Sequence, residues 1–141
     1  MKISDILRYK GSDVVTIAPD APVTDVLTKL AEHNVGALVV VRGEDVVGIV
    51  SERDIVRRLN DAGAEMLDHL VDSIMTVSVL TTKPDASVDS VAQTMTEQRI
   101  RHLPVVDNGR LAGVISVGDV VSSRIRQLEQ DRGQLEHYIT G

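Results

Sequence analysis

The sequence predicts an α+β fold built from two packed β-α-β-β-α repeats, followed by a C-terminal helical extension. Three observations predict it. The heptapeptide Gly48-Ile-Val-Ser51-Glu-Arg-Asp54 recurs as Gly113-Val-Ile-Ser116-Val-Gly-Asp119, 65 residues further on (Gly48 to Gly113), and each copy ends an apolar strand and opens a helix. The same displacement lays residues 14–56 on 79–121 without a gap, with 15 identities in 43 pairs, against about 3 or 4 expected by chance in so Val-rich a chain. Each half, at about 60 residues, would bury too little surface to be comfortably stable alone, so the two are expected to share one core.

The elements follow in the same order in each repeat. A short helix is predicted at Ile3 to Tyr9, then a strand through Val14-Val-Thr-Ile17 that stops at Ala18-Pro19-Asp-Ala-Pro22, where the prolines set a turn. Thr24 is a candidate N-cap for a helix carrying Val26, Leu27, Leu30 and Ala31 at helical spacing, ended by His33-Asn34. Gly36 to Val41 reads as a buried strand, Arg42-Gly-Glu-Asp45 as a hairpin turn and Val46 to Val50 as its partner strand. Ser51 then opens a helix through Ile55, Val56 and Leu59 that stops near Asp61-Ala-Gly63.

In the second repeat Leu70 to Met75 is expected to echo the N-terminal helix, and Val77 to Thr81 is expected to be the first strand. Pro84 and Asp85 make the turn, and Ser87 or Asp89 caps a helix with Val88, Val91, Ala92 and Met95 on one face. Ile100 to Val106 and Leu111 to Ile115 flank Asp107-Asn-Gly109, an Asn-Gly hairpin signal. Asp119 enters a helix reaching Tyr138, with Val120, Val121, Ile125, Leu128, Leu135 and Ile139 apolar and Gly133 as its weak point. The expected divisions are 1–63, 64–125 and a helical extension at 126–141.

Composition removes several classes of function. With 15 basic and 21 acidic residues the net charge is −6, which offers no general field for nucleic acid or an anionic membrane. Tyr9 and Tyr138 are the whole aromatic complement, so base-stacking platforms are missing too. Cysteine is absent, which removes disulfides, thiolate metal sites and thiol nucleophiles. The four histidines are scattered without ligand spacing, and no Gly-x-Ser-x-Gly elbow occurs, so neither a metal centre nor a hydrolytic triad is expected. The N-terminus is too polar for a signal peptide and no apolar run approaches the ~20 residues of a membrane span. A cytoplasmic, non-enzymatic protein without a catalytic cofactor is the expectation.

A small hydroxyl and a carboxylate three residues apart at a strand-to-helix turn lie beside free backbone N–H groups, a geometry suited to gripping a phosphate and a sugar diol together. Ser and Asp at such positions also serve simply as N-caps. Arg99 and Arg101 fall on one face of a predicted strand with His102 on the other, the best cationic cluster of the chain, and Arg53 lies within the first heptapeptide. The alternative for Arg99 and Arg101 is a solvated edge paired with nearby acids.

A β-α-β-β-α repeat of about 60 residues with Pro after the first strand and Gly-h-h-Ser-x-x-Asp after the third, where h is apolar, resembles the cystathionine-beta-synthase (CBS) domain. The chain resembles a stand-alone tandem pair, a Bateman module, over residues 1 to about 125. That resemblance implies pseudo-two-fold packing of the repeats, a disc-like homodimer, and an adenosine-containing ligand in the clefts between repeats: AMP, ADP or ATP, or else NAD or S-adenosylmethionine. It implies a regulatory role read by a partner protein; a purely structural dimerisation or adaptor module is the alternative.

On this resemblance Asp54 and Asp119 hold ribose hydroxyls, which an ionised carboxylate accepts well. Ser51 and Ser116 donate to phosphate, with Arg53 and Arg101 assisting. Thr16, Ile17, Thr81 and Lys83 leave the first strand where the family reads the adenine edge through backbone groups. Ala37 and Leu38, with His102, Leu103 and Pro104 in the second repeat, line the purine, although as core residues they would look the same. The exchanges of Arg53 for Gly118 and Ala37 for His102 predict two unequal clefts.

Overall fold

In the computed structural model, which describes residues 1–11 and 13–140, the order is α1 (Ile3–Lys10), β1 (Thr16–Ile17), α2 (Val23–His33), β2 (Ala37–Arg42), β3 (Asp45–Ser51) and α3 (Glu52–Ala62). Two 3-10 turns at Ala64–Asp68 and Val71–Ser73 lead to α4 (Val88–Gln98), β4 (His102–Asp107), β5 (Arg110–Ser116) and α5 (Val117–Thr140). β1 pairs parallel with β2 and β2 antiparallel with β3; β4 and β5 form the matching hairpin. The registers agree residue for residue across the 65-residue offset, Ala37 facing Ser51 and His102 facing Ser116. A bulge falls at Val40/Val41 in one repeat and Val105/Val106 in the other.

Three expectations change in detail. Helix α2 is capped by Pro22 and not Thr24, because the fully buried Val23 must already be helical to reach the core, and its N–H is satisfied by the His69 carbonyl at 2.9 Å. The Val77 to Thr81 strand does not form; only Thr82 bridges β4, its N–H donating to Pro104 O and its carbonyl accepting from Val106 N–H. Pro104 stands where the first repeat has Val39, and a proline without an N–H cannot extend that ladder. Arg99 is not on a strand: it ends α4 in the left-handed conformation (φ 55°), as Asn34 ends α2 (φ 51°).

The larger correction concerns the core. Two apolar clusters form, one per repeat, and each is completed by a segment that lies beyond the repeat's own sequence. Ile17, Val23, Val26, Leu38, Val40, Val50 and Ile55 are closed by Met66, Val71 and Ile74. Val88, Val91, Met95, Leu103, Val105, Ile115 and Val120 are closed by Ile3 and Ile6 of α1. The N-terminal helix, adjacent to the first repeat in the chain, therefore packs on the second. Backbone hydrogen bonds seal the exchange: Ile3 N–H to Ala86 O and Ser4 N–H to Pro84 O on one side, Val71 N–H to Ala21 O and Asp72 N–H to Pro19 O on the other.

The repeated glycines make room for it. A Cβ on Gly113 would stand 2.6 Å from Leu7 Cδ2 of α1, and one on Gly48 would stand 2.6 Å from Met75 Sδ and 3.0 Å from the Thr76 carbonyl. The motif glycine is thus the seat of the exchanged segment, a packing role separate from any ligand.

Helix α5 runs unbroken through Gly133. Its first turns are held to the body by buried Val120 and Ser123, by an ion pair of Arg124 with Asp89, and by the Arg126 guanidinium 3.5 Å from the centre of the Tyr9 ring. Beyond residue 127 every described side chain is exposed. Among the described residues no helix is long and apolar enough to cross a membrane.

Candidate ligand-binding site

Each site is built at the junction where the last strand of a repeat turns into a helix. In the first repeat Asp54 Oδ2 accepts from Ser51 N–H at 2.8 Å and from the Ser51 hydroxyl at 3.0 Å, while Asp54 N–H donates back to Ser51 Oγ at 3.3 Å. This is a reciprocal capping box that satisfies the orphan donors of α3. The Ser51 proton is spent on Asp54, so its expected donation to phosphate needs that bond to break.

The second junction keeps the backbone bonds and changes the third partner. Asp119 Oδ2 accepts from Ser116 N–H at 2.8 Å and Asp119 N–H donates to Ser116 Oγ at 3.1 Å. Lys10 Nζ, from the end of α1, takes the remaining position on Oδ2 at 2.7 Å and also donates to Val114 O at 2.8 Å. Partial burial pushes the Asp119 carboxyl up; the bonds from Lys10 and Ser116 outweigh this and hold it below the ordinary carboxylate value. A carboxylate offers about four acceptor sites. In both repeats the two on Oδ2 are filled and, among the described residues, none engages Oδ1, which is the capacity a vicinal diol requires.

His102, half-buried at the start of β4, faces the first repeat. A Cβ on Gly36 would be 3.2 Å from His102 Nε2 and 3.4 Å from Glu52 Oε1, so Gly36 leaves the space in which the imidazole meets the start of α3. Burial, the largest influence, pushes the His102 imidazole below the ordinary histidine value; Arg101 and Lys10 act the same way, and Glu52 and Asp119 oppose them. Ala37, its counterpart, is smaller and carries no such group. Glu52 N–H donates to Gly36 O (3.0 Å) and Val117 N–H to Arg101 O (2.9 Å), so the two junctions are closed by the same bond.

Arg53 and Arg101, read from different repeats, do come together: with Arg99 they border a groove of about 480 Å³ floored by Ala92, Met95 and Val120. Lys83 is not brought to Asp119. It lies with Thr81 along a separate groove of about 510 Å³ at the Asp107-Asn108-Gly109 turn, the far end of β4 from His102. Thr16 and Ile17 run beside Val39 and Val40 of β2, and the Thr16 carbonyl accepts from Lys29 Nζ at 2.6 Å. Leu38 and Pro104 are buried in the sheets behind these junctions, while Ala37 stays partly open. Lys10, Lys29, Gly36 and Glu52 escaped the sequence reading. Only Lys29, one helical turn before His33 on the strand-facing side of α2, left a local trace.

The fold and these junctions define a tandem pair of α+β repeats related by pseudo-two-fold symmetry, with one capped aspartate in each. The chain belongs to the CBS-domain family: the family model matches residues 3–61 and again 71–126. It is 35% identical over 148 residues to the mitochondrial CBS domain-containing protein CBSX3 of Arabidopsis thaliana, spanning 99% of this chain and 72% of that one. The CBS-domain containing protein ATU1752 from Agrobacterium tumefaciens has the same fold, with a TM-score of 0.86 and 41% identity over 88% of this chain and 99% of its own. The CBS domain pair of protein MJ0100, crystallised in complex with 5′-methylthioadenosine and S-adenosyl-L-methionine, is similar at a TM-score of 0.79 and 27% identity, over 92% of this chain and 98% of its own.

Proposed function

We propose that this tandem pair is a cytoplasmic, non-enzymatic regulatory module that binds an adenosine-containing ligand at the Asp54 and Asp119 junctions and passes the ligand state to a homodimer or a partner protein. The observation that carries it is the repeated half-engaged carboxylate: in each repeat the cap consumes Oδ2 and leaves Oδ1 for sugar hydroxyls. Ligands of the AMP, ADP and ATP class suit the guanidiniums of Arg53, Arg99 and Arg101, which lie on both sides of the repeat boundary. A ligand spanning the two junctions favours whichever arrangement of the repeats it fits better, and α5, anchored to α1 and α4, carries that change outward.

The adenosyl complexes of the MJ0100 pair support a second choice of ligand within the same reading, a thioether or sulfonium adenosyl compound that needs no phosphate site. A thermal-shift panel of AMP, ADP, ATP, NAD and S-adenosylmethionine tests both. Stabilisation by any of them that disappears in the Asp54→Asn, Asp119→Asn double variant is the expected result. No stabilisation by any of them leaves the adaptor role.

A further inference from the structure

We propose that the exposed face of α5 from Val121 to Ile139 pairs with the same face of a second copy as an antiparallel two-helix coiled coil centred near Gln130. This deepens the dimer named above by giving it a partner surface and an orientation, and its outermost layer, at Val121, borders the groove of Arg53, Arg99 and Arg101.

The family match ends at residue 126, yet α5 continues to Thr140. Along it Val121, Ile125, Leu128, Arg132, Leu135 and Ile139 alternate at spacings of four and three, the a/d seam of a heptad. Leu128, Leu135 and Ile139 are 68%, 61% and 73% exposed, so three large aliphatic side chains stand in water on one stripe of a helix whose described side chains are all exposed beyond residue 127. Such a helix, polar on its other faces, gains stability by burying that stripe against a second one.

The order of residues along the seam identifies the occupant. In an antiparallel pair centred near residue 130, Val121 meets Ile139, Ile125 meets Leu135 and Leu128 meets Arg132, so every layer is apolar or carries one arginine beside a leucine. In a parallel pair Arg132 would face Arg132 within the seam, two like charges in one layer. The antiparallel arrangement separates the two guanidiniums by about 6 Å along the axis. It rings them with Glu129 and Asp131 of both copies, while each Arg132 keeps its 3.0 Å bond to Glu136 of its own helix. The seam is complementary to itself read backwards, which is the condition for a two-fold interface.

The chain contains no cysteine, so introduced thiols report the register cleanly. Sedimentation of the full chain without ligand is expected to show a dimer, and the Leu128→Glu, Leu135→Glu double variant is expected to weaken it at least about a hundredfold with the circular dichroism of the body retained. Under mild oxidation, Ile125→Cys and Leu135→Cys chains should form a disulfide when mixed and little when alone. A monomeric full chain, a dimer indifferent to the double variant, or efficient self-crosslinking of Ile125→Cys alone would each overturn the proposal. Because ligand is absent throughout, none of these outcomes bears on the nucleotide reading.

Discussion

Lys10 Nζ donates to Asp119 Oδ2 at 2.7 Å across 109 residues of sequence, which ties the last residue of the N-terminal helix to the carboxylate of the second junction. Among the described residues the first junction has no such tether: there the equivalent position on Asp54 is filled by the Ser51 hydroxyl. Two sites that look alike in sequence therefore differ in charge and in what must move to open them.

Replacing Lys10 by Met keeps the aliphatic stem and removes the charge. With both partners partly exposed, the loss is about 1 kcal/mol. Its pH dependence follows from Asp119, whose folded value is depressed: the contribution is full above the ordinary carboxylate value of 3.8 and fades as the pH falls through the lower folded value. Urea unfolding should show wild type and Lys10→Met diverging at neutral pH and converging in acid. A constant gap down to strong acid would show that packing, and not the ion pair, explains the difference.

His102 acts in the opposite range. Its folded value is lowered by burial, with Arg101 and Lys10 adding to this against Glu52 and Asp119. The unfolded chain therefore takes up a proton first as the pH falls below 6.5, and stability declines from there until the folded imidazole also protonates. His102→Gln should flatten that part of the stability curve. NMR titration should place the His102 midpoint below that of an exposed histidine, and an anionic nucleotide bound at this junction should raise it.

The motif glycines should tolerate alanine unequally. At Gly113 the three atoms nearest a Cβ all belong to the Leu7 side chain, whose end can rotate away; at Gly48 it meets Met75 and, at 3.0 Å, the fixed Thr76 carbonyl. Gly113→Ala is expected to cost about 1 kcal/mol and Gly48→Ala about 2 to 3 kcal/mol. Denaturant midpoints that rank the two the other way would reject the packing explanation.

Ile6 is fully buried among second-repeat residues, so Ile6→Ala should cost about 2 to 5 kcal/mol. Hydrogen exchange should place the weakening in β4, β5 and α4, although Ile6 adjoins the first repeat in sequence. Faster exchange confined to residues 16–62 would contradict the exchanged-segment core.

Much of this was legible beforehand, and the exceptions have a common cause. The hairpins and the Ser51 and Ser116 caps are local and periodic, and a repeat with 15 identities in 43 pairs displays them twice. The destination of α1 was not legible, because Ile3 and Ile6 show that one face is apolar without saying which repeat it will cover. Lys10 and Glu52 were missed for the same reason: their partners lie in the other half of the chain. Pro104 could have signalled the failed strand at Val77 to Thr81, since a proline beside a parallel neighbour removes the donor that the ladder needs.

Calorimetric titration of the full chain with ADP, and separately with S-adenosylmethionine, tests the central claim most directly, with Asp54→Asn and Asp119→Asn as single variants. The account predicts saturable binding to wild type with two unequal affinities. Each substitution should weaken one of them by about tenfold or more without lowering the thermal midpoint enough to unfold the chain. Binding to either ligand that survives both substitutions unchanged would contradict it, as would the absence of binding to both.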